Sequence, residues 1–366
     1  MQERALAERL ITYDTSELDG IQAAAGFVKG WLESNDVEIK DGTHNDLPVL
    51  AATVGPEEGP TVVLHGHIDV VPGAPEQFEP RIDGDRLIGR GAYDMKGGLA
   101  GMMCAVRDLK DQTDVRVHFV CVSDEESDEP FSRGSDYVVE KGYIGDFAIT
   151  GEPTDLRIGV QAKGVLALRI EVTGVSAHGS TPWLGDNAVL KAVDVFRQIQ
   201  SMPFAREASD LFDRPSISLG RIAGGDRINT VPGACTVDVD IRYLPGQDPR
   251  AILAGIRALP DIEVSVVLQR DPVNVERDNP FVVALADTLS EWLPADRVSI
   301  GRDGASDAIS FIDAGVPAVE FGPVGGGHHG PDEWVSIESL ERYSRALVTF
   351  ISELPASAGK GHLRIA

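Results

Sequence analysis

The chain has 366 residues, 42% of them hydrophobic, and sets 33 Lys and Arg against 58 Asp and Glu for a formal charge of −25. That length accommodates two domains and at least one large core, and a negative field of that size disfavours nucleic acid and anionic membrane as partners. Only 8 of the basic residues are Lys and 25 are Arg, a composition that suits either an acidic cytosolic enzyme or a protein adapted to high salt.

The opening stretch MQERALAERL is charged and amphipathic and does not read as a secretory signal. No apolar run approaches the roughly 20 residues of a membrane span. Cys104, Cys121 and Cys235 are scattered in apolar settings and read as buried free thiols of a reducing, cytoplasmic compartment. Neither a disulfide framework nor a thiolate zinc cluster is available.

In chain order, apolar spacing predicts a helix over 22–32, then strands over 48–54 and 61–64 separated by the turn GPEEGP. Residues 87–92 lead into YDMKGG and a helix over 97–109; a β-branched strand over 115–122 ends in the acidic run SDEESDE. A helix over 133–141 and a strand over 146–150 follow, and the strand runs into GEPT. This alternation predicts an α/β domain with a mostly parallel sheet covered on both faces. After about residue 161 the order becomes strand 165–173, helix 187–200, strands 216–222 and 235–243, helix 249–259 and strand 262–268. That is the β-α-β-β-α-β order of a ferredoxin-like α+β unit. It reads as an insertion over 162–271, because helix 281–292 and buried strand 316–321 resume the first pattern. Residues 1–161 and 272–366 are then expected to form one domain, with a frayed tail ASAGKGHLRIA.

The candidate chemistry falls after strands, where open α/β sheets place their sites. In HGHIDVVPG alternate side chains share a face, so His67 and Asp69 point the same way. Such a pair suits a metal-binding imidazole whose other ring nitrogen is held by a carboxylate. Asp94 stands in GRGAYDMKGG, Glu125 and Glu126 in SDEES, Glu152 in GEPT, and His329, beside His328, in GGGHHGPDEW; His67 and His329 are the imidazoles of the set. Singly these have ordinary readings as a helix cap, solvated carboxylates, a turn residue and loop histidines. Together they supply two imidazoles and three carboxylates with a spare glutamate, the N and O donor set of a dinuclear hydrolytic zinc site. Two metals about 3.5–4 Å apart need a bridging carboxylate, and a glutamate beside a ligand can take a proton from water.

From HGHIDVVP through GRGAYDMKGG, SDEES and GEPT to HHGPDEW, the chain resembles the dinuclear zinc aminoacylase and carboxypeptidase family, which includes succinyl-diaminopimelate desuccinylase, acetylornithine deacetylase and glutamate carboxypeptidase. The resemblance implies a zinc-peptidase catalytic domain with an inserted dimerisation (lid) domain, a homodimer, and two Zn2+ ions, with Co2+ or Mn2+ as substitutes. It implies that Asp94 bridges the metals, that His67 and Glu152 complete one site, and that Glu126 and His329 complete the other. His329 is preferred to His328 by its alignment with the family's His-x-Pro-Asp-Glu pattern. Glu125 becomes the general base, Asp69 the partner of His67, and Asp94–Met95 a cis peptide. His178, in GVSAHGSTPWLGDNA, is expected to reach the neighbouring subunit's site and stabilise an oxyanion, while Asn229 and Arg242 resemble positions that hold a substrate carboxylate. In the stretch GRDGASDA, Arg302 and Asp303 depart from the small and polar residues expected of the family's substrate loop. The expected activity is hydrolysis of the amide bond of a small N-acyl amino acid. The alternatives are a dipeptidase or glutamate-carboxypeptidase activity and, from another class, a metal-binding scaffold without catalysis.

Overall fold

The computed structural model describes residues 2–111, 114–127, 133–293 and 298–354. The chain divides into two compact units: Met1–Val160 with Val275–Ile300 and Ser306–Ala366, and Gln161–Asn274 with Gly301–Ala305. The elements up to the crossing between them are α1 (Gln2–Ile11), α2 (Leu18–Ser34), β1 (Ile39–His44), β2 (Leu47–Val54), β3 (Thr61–His67), β4 (Arg81–Asp83), β5 (Arg86–Ile88), α3 (Gly97–Leu109), β6 (Arg116–Val122), α4 (Gly134–Glu140), β7 (Phe147–Thr150) and β8 (Ile158–Ala162). Those that follow are β9 (Gly164–Thr173), α5 (Ala188–Ser201), β10 (Ser216–Gly224), β11 (Ala234–Tyr243), α6 (Pro249–Arg257), β12 (Ile262–Arg270), β13 (Val273–Asn274), α7 (Pro280–Leu289), β14 (Ser299–Arg302), α8 (Ala308–Asp313), β15 (Ala318–Glu320), β16 (Gly325–Gly326), β17 (Trp334–Ser336) and α9 (Ile337–Glu353).

In the first unit the large sheet runs β1-β2-β6-β3-β7-β15-β8. Its middle strands β6, β3, β7 and β15 are parallel, while β1 and β2 add antiparallel on one side and β8 on the other. In β3 and β6 every residue after the first is buried, as expected of parallel strands covered on both faces and built from Val, Leu, Phe and Cys. Helix α3 lies against α9, and Gly101 makes room for the buried Tyr343 ring: a Cβ there would come within 2.6 Å of it. The carboxyl ends of β3, β6 and β7 deliver His67, the loop 123–127 and Glu152 to one end of the sheet. This is where an open parallel sheet leaves backbone and side chains free to converge on a ligand. A small antiparallel sheet, ordered β16-β17-β5-β4, pins both ends of the loop that carries His328 and His329.

The second unit is an antiparallel sheet ordered β10-β11-β9-β12 with α5 and α6 packed on it, the ferredoxin-like order expected from the sequence. Strands β9 and β11 bury alternate residues, and Leu166, Leu168, Ile170, Val237, Val239 and Ile241 meet Ala192, Ile199, Ile252 and Ile256 of the helices. Each of these larger side chains contributes about 1.5–3 kcal/mol by leaving water. Asn187 caps α5 through the N–H groups of Val189 and Leu190, and Asp248 with Pro249 starts α6. The segment Gly301–Ala305 packs in this unit, beyond the expected 162–271, with Lys163 Nζ 2.7 Å from Asp303 Oδ1.

Several elements escape sequence periodicity. Strand β1, IKDGTH, exposes four of its six residues and exists because it pairs along its whole length with β2, from Leu47 to Ala52. Helix α2 begins at Leu18 rather than 22, after a turn in which Asp14 accepts from the Ser16 N–H and hydroxyl. The expected frayed tail, and residues 128–132 at and after the end of the acidic run, lie outside the described residues. Among the described residues no helix is long and apolar enough to cross a membrane.

Candidate metal centre

His67, the last residue of β3, is fully buried, and its ring nitrogens face different partners. Nε2 lies 3.2 Å from Asp94 Oδ1 and 3.5 Å from Glu152 Oε1. Nδ1 lies 3.0 Å from the Asp69 carbonyl oxygen and 3.4 Å from its carboxylate Oδ1. Asp69 therefore faces the ring through its backbone as well as its side chain. Its other carboxylate oxygen accepts the Glu126 N–H at 2.8 Å, tying the loop after β6 to the end of β3. Gly66 leaves room for Met95, whose Cε would stand 2.8 Å from a Cβ at that position. Met95 follows Asp94 across a cis peptide bond.

On its other oxygen Asp94 meets both loop histidines, His328 Nε2 at 2.6 Å and His329 Nε2 at 3.3 Å. His329 also reaches Glu126 Oε1 at 2.9 Å. The donor atoms of His67, Asp94 and Glu152 lie within 4.8 Å of one another, as do those of Asp94, His328 and His329. Asp94 is common to both groups. His329 touches two carboxylates, whereas His328 touches Asp94 and stands edge-on to the Tyr93 and His329 rings.

Glu125 sits beside Glu126 with its side chain 20% exposed. Arg133 Nη1 donates to its carbonyl at 2.9 Å and lies 3.4 Å from its Oε1. The same nitrogen reaches Asp307 Oδ1 at 3.1 Å, and Asp307 Oδ2 accepts the Ser135 hydroxyl at 2.5 Å. Ser135 Oγ in turn lies 2.8 Å from Nε2 of buried His65. No spacing in the sequence joins Arg133 and Ser135, at the start of a predicted helix, to His65 in HGHIDVVPG or Asp307 in GRDGASDA, so these four carry no signal as a cluster. Arg90 and Glu333 likewise lie inside GRGAYDMKGG and GGGHHGPDEW with nothing in the sequence to pair them.

The electrostatics favour a cation. Burial, and next the charge of Asp307, push the Glu125 carboxyl up to about 8. Burial and neighbouring Asp94 push Glu152 well above the usual carboxylate range. Burial opposes ionisation of Asp94 too, but hydrogen bonds from His328, His329 and His67 hold it well below its ordinary value. Burial also opposes the His67 imidazolium, and the carboxylates of Asp69 and Asp94 outweigh it and raise that ring's pKa. Buried Glu152 Oε1 has no hydrogen-bond donor among the described residues. Imidazoles and carboxylates crowded in this way, with an orphaned carboxylate oxygen and no thiolate, fit divalent ions of the zinc, cobalt or manganese type. Among the described residues Asp94 is the group common to both donor sets and so placed to serve two of them.

In the second unit His178 lies on an exposed loop, its Nδ1 2.8 Å from Ser180 Oγ. The Asn229 carbonyl accepts the Gly179 N–H at 2.7 Å, which joins the His178 loop to the Asn229 loop. Arg242, on β11, holds Asp240 through Nε at 3.0 Å to each oxygen. A cavity of about 510 Å³ opens beside these loops, lined by Gly179, Arg227, Ile228 and Thr230 among others.

A parallel sheet with two sets of N and O donors sharing one aspartate at its carboxyl end defines the class: a metal-centred hydrolase site on an α/β scaffold. The sequence pattern of peptidase family M20/M25/M40 matches residues 63–353, and the chain belongs to that family. It is 30% identical over 321 residues to a succinyl-diaminopimelate desuccinylase of Thioalkalivibrio sulfidiphilus, covering 81% of this chain and 84% of that one. Its fold is similar to that of a tripeptidase from Staphylococcus aureus, at TM-score 0.79, 20% identity and 98% coverage of each chain. It is also similar to a dinuclear metal-binding peptidase of the M20 family from Bacillus subtilis, at TM-score 0.69 and 17% identity, covering 95% of this chain and 98% of that one. The chain is accordingly an enzyme that hydrolyses amide bonds.

Proposed function

We propose that this protein is a cytoplasmic, zinc-dependent deacylase that removes the acyl group from a small N-acyl amino acid, with N-succinyl substrates first in line. The observation that carries the reading is Asp94, shared between His67 with Glu152 on one side and His329 on the other, with Glu125 beside the remaining carboxylate Glu126. Desuccinylases among the relatives point to the succinyl group. His67 and Glu152 would hold one ion, Glu126 and His329 the other, and Asp94 both. Two ions held there would supply Lewis acidity for the amide carbonyl and make an attacking water easier to deprotonate. Glu125 takes the proton of the attacking water and passes it to the leaving nitrogen. His178, supplied by a second copy, donates a hydrogen bond to the developing oxyanion. Asn229 and Arg242 hold the substrate's carboxylate, a role for which a guanidinium fork is suited.

The homodimer in this reading is supported by the second unit, which exposes Val175, Trp183, Leu184 and Leu190, apolar side chains that a second copy would cover. The test is metal content by elemental analysis together with a screen of N-succinyl and N-acetyl amino acids. Two zinc equivalents and turnover of an N-succinyl amino acid support the proposal. Turnover confined to di- or tripeptides would replace it with the peptidase reading, which the likeness to a tripeptidase keeps in view.

A further inference from the structure

The turn that carries Asp94 and the loop that carries His329 meet through one buried ion pair. Arg90 is 3% exposed and Glu333 1%. Arg90 Nη1 donates to Glu333 Oε2 at 2.7 Å, and its other arm, Nη2, donates to the His329 carbonyl at 3.1 Å. Glu333 turns both carboxylate oxygens onto the Asp94 turn. Oε2 accepts the Gly91 N–H at 3.0 Å, and Oε1 accepts the N–H groups of Tyr93 at 2.9 Å and Asp94 at 3.0 Å. Gly91 has φ +78°, a left-handed conformation that leaves its N–H available to this carboxylate. The backbone fixes the pair as well: the Arg90 N–H donates to the Gln77 carbonyl at 2.8 Å and the Gly89 N–H to the Glu333 carbonyl at 2.9 Å.

A buried ion pair contributes little net stability over a well-packed apolar one. Its particular product here is geometry. One carboxylate holds the backbone of the shared aspartate, and the guanidinium it neutralises holds the backbone of a histidine from the other end of the chain.

We propose that Arg90 and Glu333 are positioning residues that hold the Asp94 turn and the His329 loop in register, so that the two metal positions form together and bind their ions as a linked pair. The proposal rests on the reading of Asp94 as the shared ligand. Groups that orient ligands in this way typically govern about 10–100-fold in metal affinity.

The experiment is titration of metal-free protein with Zn2+ and Co2+ by calorimetry with a competing chelator, which requires no substrate. His329→Ala serves as the marker for the second ion. Glu333→Gln is expected to weaken both ions by about 10–100-fold, because an amide keeps one acceptor oxygen and turns an NH2 donor toward at least one backbone N–H of the Asp94 turn that needs an acceptor. Arg90→Lys keeps the charge but loses the fork, so it is expected to weaken the ion marked by His329 more than the other. Metal-free melts and far-UV circular dichroism matching wild type separate positioning from a folding defect. If Glu333→Gln does not fold, Arg90→Lys decides alone. Variants that fold and bind both ions as tightly as wild type overturn the proposal. Wild-type protein that takes up fewer than two ions would instead sink the dinuclear reading, and this proposal with it.

Discussion

Asp94 is the residue on which the site turns, since its two oxygens face different imidazoles. Two predictions belong at this scale. Glu125→Gln leaves every proposed ligand in place and removes only a proton acceptor. Two ions should therefore remain by elemental analysis while kcat falls by about two to four orders of magnitude. A kcat within a few fold of wild type would remove Glu125 from the role of base. The paired histidines separate in the same way. His329 contacts both Asp94 and Glu126, whereas His328 contacts Asp94. His329→Ala should lose one of two ions, and His328→Ala should keep both. The reverse result in elemental analysis would hand the ligand role to His328.

Strand β6 shows how an element can carry chemistry at one end and a pH liability in its middle. Its carboxyl end leads to Glu125 and Glu126, while His118 midway along is buried against Thr53 of β2 and the Tyr143 ring. Burial, and then the charges of Arg116 and Lys40, lower the His118 pKa from 6.5 to about 4. Above the unfolded value both states are neutral at this ring. As pH falls from 6.5 toward about 4 the unfolded chain takes up the proton and the folded chain does not, so stability is lost across that window. The full loss from this one group is on the order of 3 kcal/mol. In urea unfolding, His118→Gln should show a shallower decline than wild type between those two pH values. Parallel declines would mean that the folded ring protonates as readily as the unfolded one.

At the scale of the whole molecule, the charge of −25 predicts a response to salt. Screening of surplus carboxylates should raise the melting temperature and the activity as KCl climbs into the molar range. A flat or falling melt would remove the high-salt reading and leave the catalytic one intact. The proposed exchange of His178 between subunits has its own signature. Glu125→Ala and His178→Ala should each be inactive. After subunit exchange, half the dimers are mixed and have one site free of both changes, which restores about 25% of wild-type activity. No recovery, with exchange verified by mass spectrometry, would show that His178 does not act across a twofold axis.

The family-specific motifs, the alternation that makes a parallel sheet, and the β-α-β-β-α-β order of the second unit are all legible in the amino-acid order. Strand and helix periods are local properties, and a residue such as His67 or Glu152 is marked by the strand that ends beside it. The tertiary structure alone decided the rest. It added β1, a polar strand created by its pairing with β2, and the small sheet whose two-residue and three-residue strands carry no period of their own. It also brought Arg133 to Asp307 and Arg90 to Glu333, pairs separated by 174 and 243 residues. Such pairs form because buried charges must find partners wherever the fold places them, and sequence distance carries no trace of that requirement.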